Sequence, residues 1–150
     1  MNAGPTNSSL PKKLGLTGDM VFTVRRAPDG FAARLEAEGG LGDVVWQQSL
    51  MAPLDVVIAF HTRRELLMAE LPRIIEPLHA EGAVWIAWPK PTSGIATDIT
   101  DDGLRKALSK AGWVDDKTCG IDDTWSAVRF VQRKQTLRPK DNARAAKRGR

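Results

Sequence analysis

Apolar residues occur in short runs along the chain, and these runs predict strands separated by helices. The clearest run, residues 54–60, is almost continuously apolar and lies between Pro53 and His61. A run of this length and character is typical of a strand that is covered on both faces of its sheet. A similar run at residues 83–88 predicts another buried strand, and shorter runs at 20–25 and 43–48 predict two more.

Two helices are predicted between these strands. Residues 31–38 form a short helix that ends at Gly39-Gly40. The next helix begins at Thr62, because Glu65 follows three residues later and completes a capping box. Its apolar pattern continues past Pro72, where the missing backbone donor predicts a break or kink, and the segment ends at Gly82.

A third helix begins after Thr100, which is a favourable N-cap. Leu104, Ala107, Leu108 and Ala111 form its apolar stripe, and Gly112 ends it. Residues 113–120 and 124–132 then predict two strands that form a hairpin around the turn at 121–123.

The element order β-α-β-β-α-β-α-β-β predicts an α/β fold with three layers and a Rossmann-like, mainly parallel sheet that ends in an antiparallel β-hairpin. This layout resembles a truncated class I methyltransferase fold. A layout does not by itself establish a function.

Composition narrows the class of protein. The chain has 150 residues, of which 42% are hydrophobic and 27% charged, so one globular domain is expected. Cys119 is the only cysteine, which excludes an internal disulfide and a cysteine-based metal cluster. No apolar run approaches the roughly 18 residues of a membrane span, and the N-terminus lacks a secretory signal. We therefore expect a cytoplasmic protein, and predict no metal site and no cofactor.

The positive charge is concentrated at the C-terminus. Residues 133–150 contain eight basic residues and one acid, which makes this segment +7 in a chain of net charge +4. We predict a flexible segment at 1–12, a single domain at 13–133 and a basic disordered tail at 134–150. The tail is either a solubilising extension or a contact for nucleic acid or another polyanion, through Arg138, Lys140, Arg144, Lys147 and Arg148.

Polar residues follow the predicted strands where each strand ends. In open α/β sheets, ligands bind outside the carboxyl ends of the parallel strands. If the strand at 113–120 is parallel to the others, four polar loops meet on one rim. The ligand-binding candidates on this rim are Arg26, His61, Lys90, Ser93, Thr97, Asp98, Asp123 and Trp125.

The rim lacks the usual signatures of catalysis. The loop after the first strand, residues 25–31, has one glycine, Gly30, and Pro28 has no N–H to offer a phosphate. No acidic residue at the end of the second strand is placed to bind a ribose. Ser93 lacks the G-x-S-x-G setting of a serine nucleophile.

Several candidates also have a purely structural interpretation. His61 is either a general base or anion contact, or a histidine that hydrogen-bonds nearby backbone. Lys90 binds a phosphate or carboxylate, or is a solvated loop lysine. Asp98 binds a ligand, or caps backbone donors in its own loop.

Two motifs resemble a known family. W-x-A-W-P-K at 85–90 runs into S-G-x-x-T-D at 93–98, and D-D-T-W-S follows at 122–126. Together with a Leu14-Gly15 opening, they resemble small bacterial proteins grouped as domain of unknown function 3052, over about residues 9 to 133. The resemblance implies a Rossmann-like fold, and it implies no activity because the family has none established.

The dense polar rim without a nucleophile–base pair predicts a non-catalytic binding or regulatory module, which would hold a small anionic ligand or a partner. The alternative is a degenerate S-adenosylmethionine-dependent, methyltransferase-like enzyme. A third hypothesis is association with nucleic acid through the basic tail.

Overall fold

A six-stranded sheet runs through the centre of the protein. The computed structural model describes residues 9–39 and 42–133. The predictions for residues 1–8 and for the basic tail at 134–150 lie outside this part of the chain. The strands lie side by side in the order β2-β1-β3-β4-β6-β5. Their bounds are β1 (Val21–Arg25), β2 (Val45–Trp46), β3 (Leu54–Phe60), β4 (Leu78–Pro89), β5 (Trp113–Gly120) and β6 (Trp125–Gln132).

Helices cover both faces of the sheet, as predicted for a three-layer α/β fold. Their bounds are α1 (Leu10–Lys13), α2 (Phe31–Ala37), α3 (Arg64–Ile75) and α4 (Asp101–Lys110), with a 3₁₀ turn at Pro91–Ser93. Leu10 of α1 and Leu35 of α2 pack into the core of one face. Leu67 of α3 and Leu108 of α4 pack into the core of the other.

The strand directions bring most of the carboxyl ends to one edge of the sheet. Strands β1, β2, β3 and β4 run parallel to one another. Strand β6 is antiparallel to both β4 and β5, so β5 runs parallel to β4. The turn between β5 and β6 therefore lies at the same edge as the loops after β1, β3 and β4. This confirms the predicted fold class and the condition on which the shared rim depended.

The chain changes direction across the sheet between β1 and β3. Strand β1 leads to β2 on one side, whereas β3 leads to β4 on the other. Such a reversal opens a crevice between the two strands at their carboxyl ends, which is where doubly wound folds bind ligands. The loops that begin at Arg26 and His61 border this crevice.

Helix α1 corrects the predicted N-terminal boundary. Leu10 and Leu14 are fully buried. The Leu10 N–H donates to the Glu38 carboxylate (2.7 Å), and the Trp85 indole N–H donates to the Leu14 carbonyl (3.0 Å). The packed part of the chain thus begins at least as early as Leu10, and the predicted flexible segment does not extend to residue 12. One helical turn has too few residues to show a periodic pattern.

Helix α3 starts later and ends earlier than predicted. Its N-cap is Arg63, which makes no side-chain cap hydrogen bond, so the Thr62–Glu65 capping box does not form. Pro72 lies inside the helix, which ends three residues later at Ile75. Residues 78–82, predicted as helical, belong to β4, where Leu78 pairs with Leu54 of β3. Pairing with an existing strand overrides the local apolar pattern.

The start of α4 confirms its prediction. The Thr100 hydroxyl accepts a hydrogen bond from the Gly103 N–H (3.1 Å). Gly112, after the last turn, has a φ of +91°, which glycine adopts without the steric penalty of a Cβ. Among residues 9–39 and 42–133, no helix has the length and apolar character needed to cross a membrane.

The role of α1 can be tested with Leu10→Ala. Because Leu10 is fully buried, its truncation should lower the free energy of unfolding by about 2–5 kcal/mol, as measured by urea denaturation. Lys12→Ala on the exposed side of the same helix is the control and should change stability by less than about 0.5 kcal/mol. Equal, small effects of both substitutions would mean that α1 is not part of the packed domain.

Candidate functional site

Four loops meet at the carboxyl edge of the sheet and are joined by hydrogen bonds. The Arg34 guanidinium of α2 donates to the Ile121 carbonyl in the β5–β6 turn. The Lys90 N–H, after β4, donates to the Thr124 carbonyl in that same turn (2.7 Å). The Arg64 N–H, after β3, donates to the Asp98 carboxylate (2.6 Å). The rim predicted from the strand pattern is therefore a connected surface.

A histidine, a carboxylate and a guanidinium form a chain at the β1–β3 crevice. His61 Nε2 lies 2.8 Å from Glu70 Oε1 on α3. Arg26 donates to both oxygens of the same carboxylate, at 3.0 Å from Nε and 2.5 Å from Nη2. The His61 side chain is fully buried, whereas the Arg26 side chain is 47% exposed. These three hydrogen-bonded side chains thus extend from the protein surface at Arg26 to the end of β3 at His61.

The surroundings of Glu70 and His61 determine their protonation states. The hydrogen bonds from Arg26 hold the pKa of Glu70 at about 2, so Glu70 is a carboxylate at neutral pH and only accepts. Burial lowers the pKa of His61 against the opposing effect of Glu70, so the imidazole is neutral at pH 7. His61 must therefore carry its proton on Nε2. Its Nδ1 is a buried acceptor without a partner among the described residues.

Arg26, which pairs with Glu70, has an unusual backbone conformation. Its φ is +60°, in the left-handed region that costs a non-glycine residue about 1 kcal/mol or more. This cost and the unpaired Nδ1 of His61 occur at the same place in the fold. Strain and unsatisfied polar atoms tend to cluster at functional sites, so the chain is a candidate for function rather than for stability.

The loop after β4 is held by Thr97 and Asp98. The Thr97 hydroxyl donates to the Thr62 carbonyl (2.6 Å) and accepts from the Ile99 N–H (3.1 Å). Asp98 accepts from the first residue of α3, so it caps a helix in a different part of the chain rather than donors of its own loop. A carboxylate at a helix N-terminus is favoured by the helix dipole. The predicted ligand-binding role of both residues stays a prediction.

A pocket of about 330 Å³ lies between the loop after β1 and the β5–β6 turn. Three aromatic rings pack edge to face beside it. The ring centroids of Phe31 and Phe60 are 4.9 Å apart, and those of Phe60 and Trp125 are 5.1 Å apart. Phe31 and Trp125 line the pocket together with Asp29 and Arg34. We call this space the Asp29 pocket.

A second pocket of about 480 Å³ lies along the ends of β4, β5 and β6. Lys90, Trp88 and Ser126 line it, together with Thr118 and Gly120 of β5. We call this space the Lys90 pocket. Trp125 and Ser126 are successive residues of β6 and point to opposite faces of the sheet, so the two pockets flank the start of this strand.

The structure divides the predicted site residues into separate groups. Arg26 and His61 share Glu70, Lys90 lines the larger pocket, and Trp125 lines the smaller one. The Ser93 hydroxyl accepts from the Ile95 N–H (3.1 Å), and Asp123 is an exposed turn residue. Whether any of these residues binds a ligand stays a prediction.

Sequence reasoning missed one carboxylate, that of Glu70. It has no local signal, because it is one of several acids on α3 and lies nine positions from His61. Asp122 lies in the predicted turn at 121–123, and its carboxylate accepts from the N–H groups of Thr124 and Trp125, both at 2.8 Å. That pattern is an Asx turn, which agrees with the predicted turn.

Comparison with solved structures identifies the fold. Similar structures include the ribosomal protein L11 methylase from Lactobacillus delbrueckii subsp. bulgaricus (TM-score 0.50, 11% identity, 84% of this chain and 75% of that one). A putative type 11 methyltransferase from Sulfolobus solfataricus matches with a TM-score of 0.52 and 13% identity, over 84% of this chain and 90% of that one. Magnesium protoporphyrin IX methyltransferase from Synechocystis, solved with bound SAM, matches with a TM-score of 0.51 and 12% identity, over 85% and 76%. The chain therefore has a methyltransferase-like fold.

These neighbours correct the leading functional prediction. A non-catalytic binding or regulatory module was expected, and methyltransferase neighbours favour instead the alternative of a methyltransferase-like enzyme. That prediction rested on the dense polar rim and on the absence of a nucleophile–base pair within it. No protein-family model and no curated protein matches the sequence, so the resemblance to domain of unknown function 3052 stays a prediction.

The first test of this site removes the carboxylate that His61 and Arg26 share. Glu70→Ala leaves the buried His61 N–H without its acceptor and should lower the free energy of unfolding by about 1–3 kcal/mol in urea denaturation. Glu70→Gln keeps an oxygen for His61 and should fall between this variant and wild type. Glu36→Ala, at an exposed position of α2, should change stability by less than about 0.5 kcal/mol. A Glu70→Ala protein as stable as the Glu36→Ala control would contradict the proposed geometry.

The second test uses pH. Because the pKa of His61 is lowered in the folded protein, unfolded His61 binds a proton first as pH falls below about 6.5. Wild-type stability should therefore fall as the pH is lowered from about 7 through 6.5, and His61→Gln should lack that component of the slope. His79 is present in both proteins and cancels in the difference, and Glu70 stays ionised in this range. Parallel stability curves for the two proteins, measured by urea denaturation at each pH, would refute a buried neutral His61.

Proposed function

We propose that the protein is an S-adenosylmethionine-dependent, methyltransferase-like enzyme that acts at the carboxyl edge of its sheet. The observation that carries the proposal is the match over 84–85% of the chain to methyltransferase structures, one of them solved with bound SAM. The match extends over 75–90% of those chains, so the similarity covers most of both proteins compared.

The Asp29 pocket fits the cofactor in place, size and chemistry. It lies beside the first βα loop, where doubly wound folds hold nucleotides. Its volume of about 330 Å³ is within the range of small-molecule sites, at the lower end. Its lining combines an aromatic ring, Trp125, with a carboxylate, Asp29, and a guanidinium, Arg34. These groups suit a ligand that has an aromatic base, hydroxyl groups, a sulfonium cation and an amino-acid end.

Each lining residue has a distinct role in this proposal. The Trp125 ring would contact the flat base or the sulfonium, since cations and aromatic systems both bind to indole faces. The Asp29 carboxylate would accept hydrogen bonds from hydroxyl or ammonium groups. Arg34 is oriented by Glu38 (2.7 Å) and by the Ile121 carbonyl and lies 3.9 Å from Asp122, so it would form a fixed wall of the pocket with its charge already balanced by carboxylates. The bound cofactor would supply an electrophilic methyl group.

The loop after β1 departs from the usual nucleotide site. Gly30 is its one glycine, and the Pro28 carbonyl accepts from the Phe31 N–H (3.1 Å), which closes a turn where a glycine-rich loop would approach the ligand. At the end of β2, Trp46 packs against Phe22 (5.2 Å), and no carboxylate follows for the ribose. Binding therefore depends on side chains more than on backbone N–H groups, and we expect modest affinity.

Calorimetric titration with S-adenosylmethionine tests the proposal. We expect a dissociation constant in the micromolar to millimolar range for the wild type, and a weakening of about tenfold or more in Asp29→Asn, because a hydrogen bond to a charged group is lost. Asp19→Asn is the matched control: it removes one exposed carboxylate before β1, away from the pocket, and should leave the affinity unchanged.

Absence of binding at millimolar cofactor would reject the proposed function. Equal affinities for Asp29→Asn and the Asp19→Asn control would place the cofactor elsewhere on the rim.

A further inference from the structure

The backbone on both sides of Lys90 is unusually restricted. Pro89 and Pro91 flank it, and each proline has a fixed φ and restricts the residue before it. Lys90 is extended, with φ −67° and ψ 151°. Its N–H donates to the Thr124 carbonyl (2.7 Å), and its carbonyl accepts from the Ser93 N–H (3.0 Å). The start of the Lys90 side chain is thus held in one direction by covalent geometry and by two hydrogen bonds.

The end of the Lys90 side chain lies beside Gly120. A Cβ built at Gly120 would lie 3.5 Å from Lys90 Nζ and 4.0 Å from Cε. The ammonium therefore lies against Gly120, the last residue of β5, although Lys90 itself follows β4. A methyl group here would be in van der Waals contact with Nζ, and a larger branched side chain would displace it.

The charge of Lys90 has no counter-ion within the pocket. Among residues 9–39 and 42–133, no carboxylate oxygen lies within 4.0 Å of the ammonium. Asp101 is the one acid that lines the pocket, and it shares the Arg105 guanidinium with Asp115 (2.7 Å). Among the described residues, Lys90 is the one cation that lines the pocket, it makes no ion pair, and an acidic group is the ligand chemistry that complements it.

The remaining walls favour a flat, partly apolar ligand body. The Trp88 side chain is 8% exposed, and it forms one wall beside Ala127 and Val128. The Ser126 and Thr118 hydroxyls add donors and acceptors opposite Lys90. Trp88 pairs with Ser126 in the β4–β6 register, so the aromatic wall and the hydroxyl belong to adjacent strands at the same level.

We propose that the Lys90 pocket binds the methyl acceptor, and that this acceptor is a planar, aromatic acid whose carboxylate or phosphate contacts Lys90 while its ring lies against Trp88. The role of this ligand as a methyl acceptor rests on the proposed function, whereas the binding of an acid at Lys90 does not. The Asp29 pocket and the Lys90 pocket flank the start of β6 through the adjacent residues Trp125 and Ser126. A methyl group that passes between them would therefore have to cross at the carboxyl edge of the sheet.

The test is a titration of the full chain, without cofactor, by two-dimensional amide NMR. The probes are benzoate, phenyl phosphate and neutral benzyl alcohol. The two acids should shift the resonances of Lys90, Gly120 and Ser126 saturably, and benzyl alcohol should bind at least tenfold more weakly. Comparing the two acids decides between a carboxylate and a phosphate.

Three variants complete the experiment. Lys90→Met keeps the length of the side chain and should weaken acid binding by about 10- to 100-fold, since a charged hydrogen bond is lost. Lys106→Met removes one exposed charge of α4 outside the pocket and should change nothing. Gly120→Val fills the position against Nζ from a different strand and should block the same probes, which covers the case in which Lys90→Met fails to fold.

The outcomes separate this proposal from the proposed function. Acid binding that survives in both Lys90→Met and Gly120→Val, or equal binding of benzyl alcohol, overturns the Lys90 pocket. No shift with either acid at about 10 mM also overturns it, and a solvated loop lysine is then the answer. Acid binding in a protein that fails to bind S-adenosylmethionine keeps the acid site and rejects the methyltransferase function.

Discussion

The antiparallel insertion of β6 between β4 and β5 is the constraint on which the candidate site depends. Because β6 is antiparallel to both β4 and β5, β5 runs parallel to β4 and ends at the same edge. The β5–β6 turn is thereby brought to the loops after β1 and β4, where it receives hydrogen bonds from Arg34 and Lys90. The start of β6 also separates the Asp29 pocket from the Lys90 pocket. A different position for this one strand would leave neither pocket with its walls.

The Arg26–Glu70–His61 cluster lies at the β1–β3 crevice of the same edge, and it differs from the pockets in how its polar groups are used. The pockets offer polar groups to solvent, whereas His61 is buried and already fixed by its partner. The Arg26–Glu70 pair is too exposed to stabilise the fold strongly, since ion pairs at the surface contribute about 0–1 kcal/mol. The Arg26–Glu70–His61 cluster includes an unfavourable φ at Arg26 and an unpaired Nδ1 at His61, and it holds a neutral imidazole in a single tautomer. An arrangement of this kind positions a side chain more than it stabilises the fold.

The departures from a standard nucleotide site have a common physical cause. A hydrogen bond between Pro28 and Phe31 closes the loop after β1 into a turn. The ring of Phe31 packs edge to face against Phe60, which packs in the same way against Trp125. In this loop the Phe31 ring packs against other aromatic rings and the Phe31 N–H donates to Pro28, whereas in a standard nucleotide site the backbone N–H groups of the loop would approach a phosphate. A cofactor with no phosphate groups, such as the one proposed, has less need of those donors than a dinucleotide has.

The sequence by itself determined the class of fold, the bounds of β3, the start of α4 and the loops that form the rim, because these depend on local periodicity, capping and turn chemistry. It misplaced the end of α3 and overlooked α1, since both are decided by contact with strands far away in the chain. Among the site residues, it indicated His61, Lys90 and Trp125 by their place after or before strands. Only the tertiary structure paired His61 with Glu70, placed Asp98 at the start of a distant helix and set Lys90 against Gly120. Those relations join side chains separated by 9 to 34 positions, and no local pattern carries information over such distances.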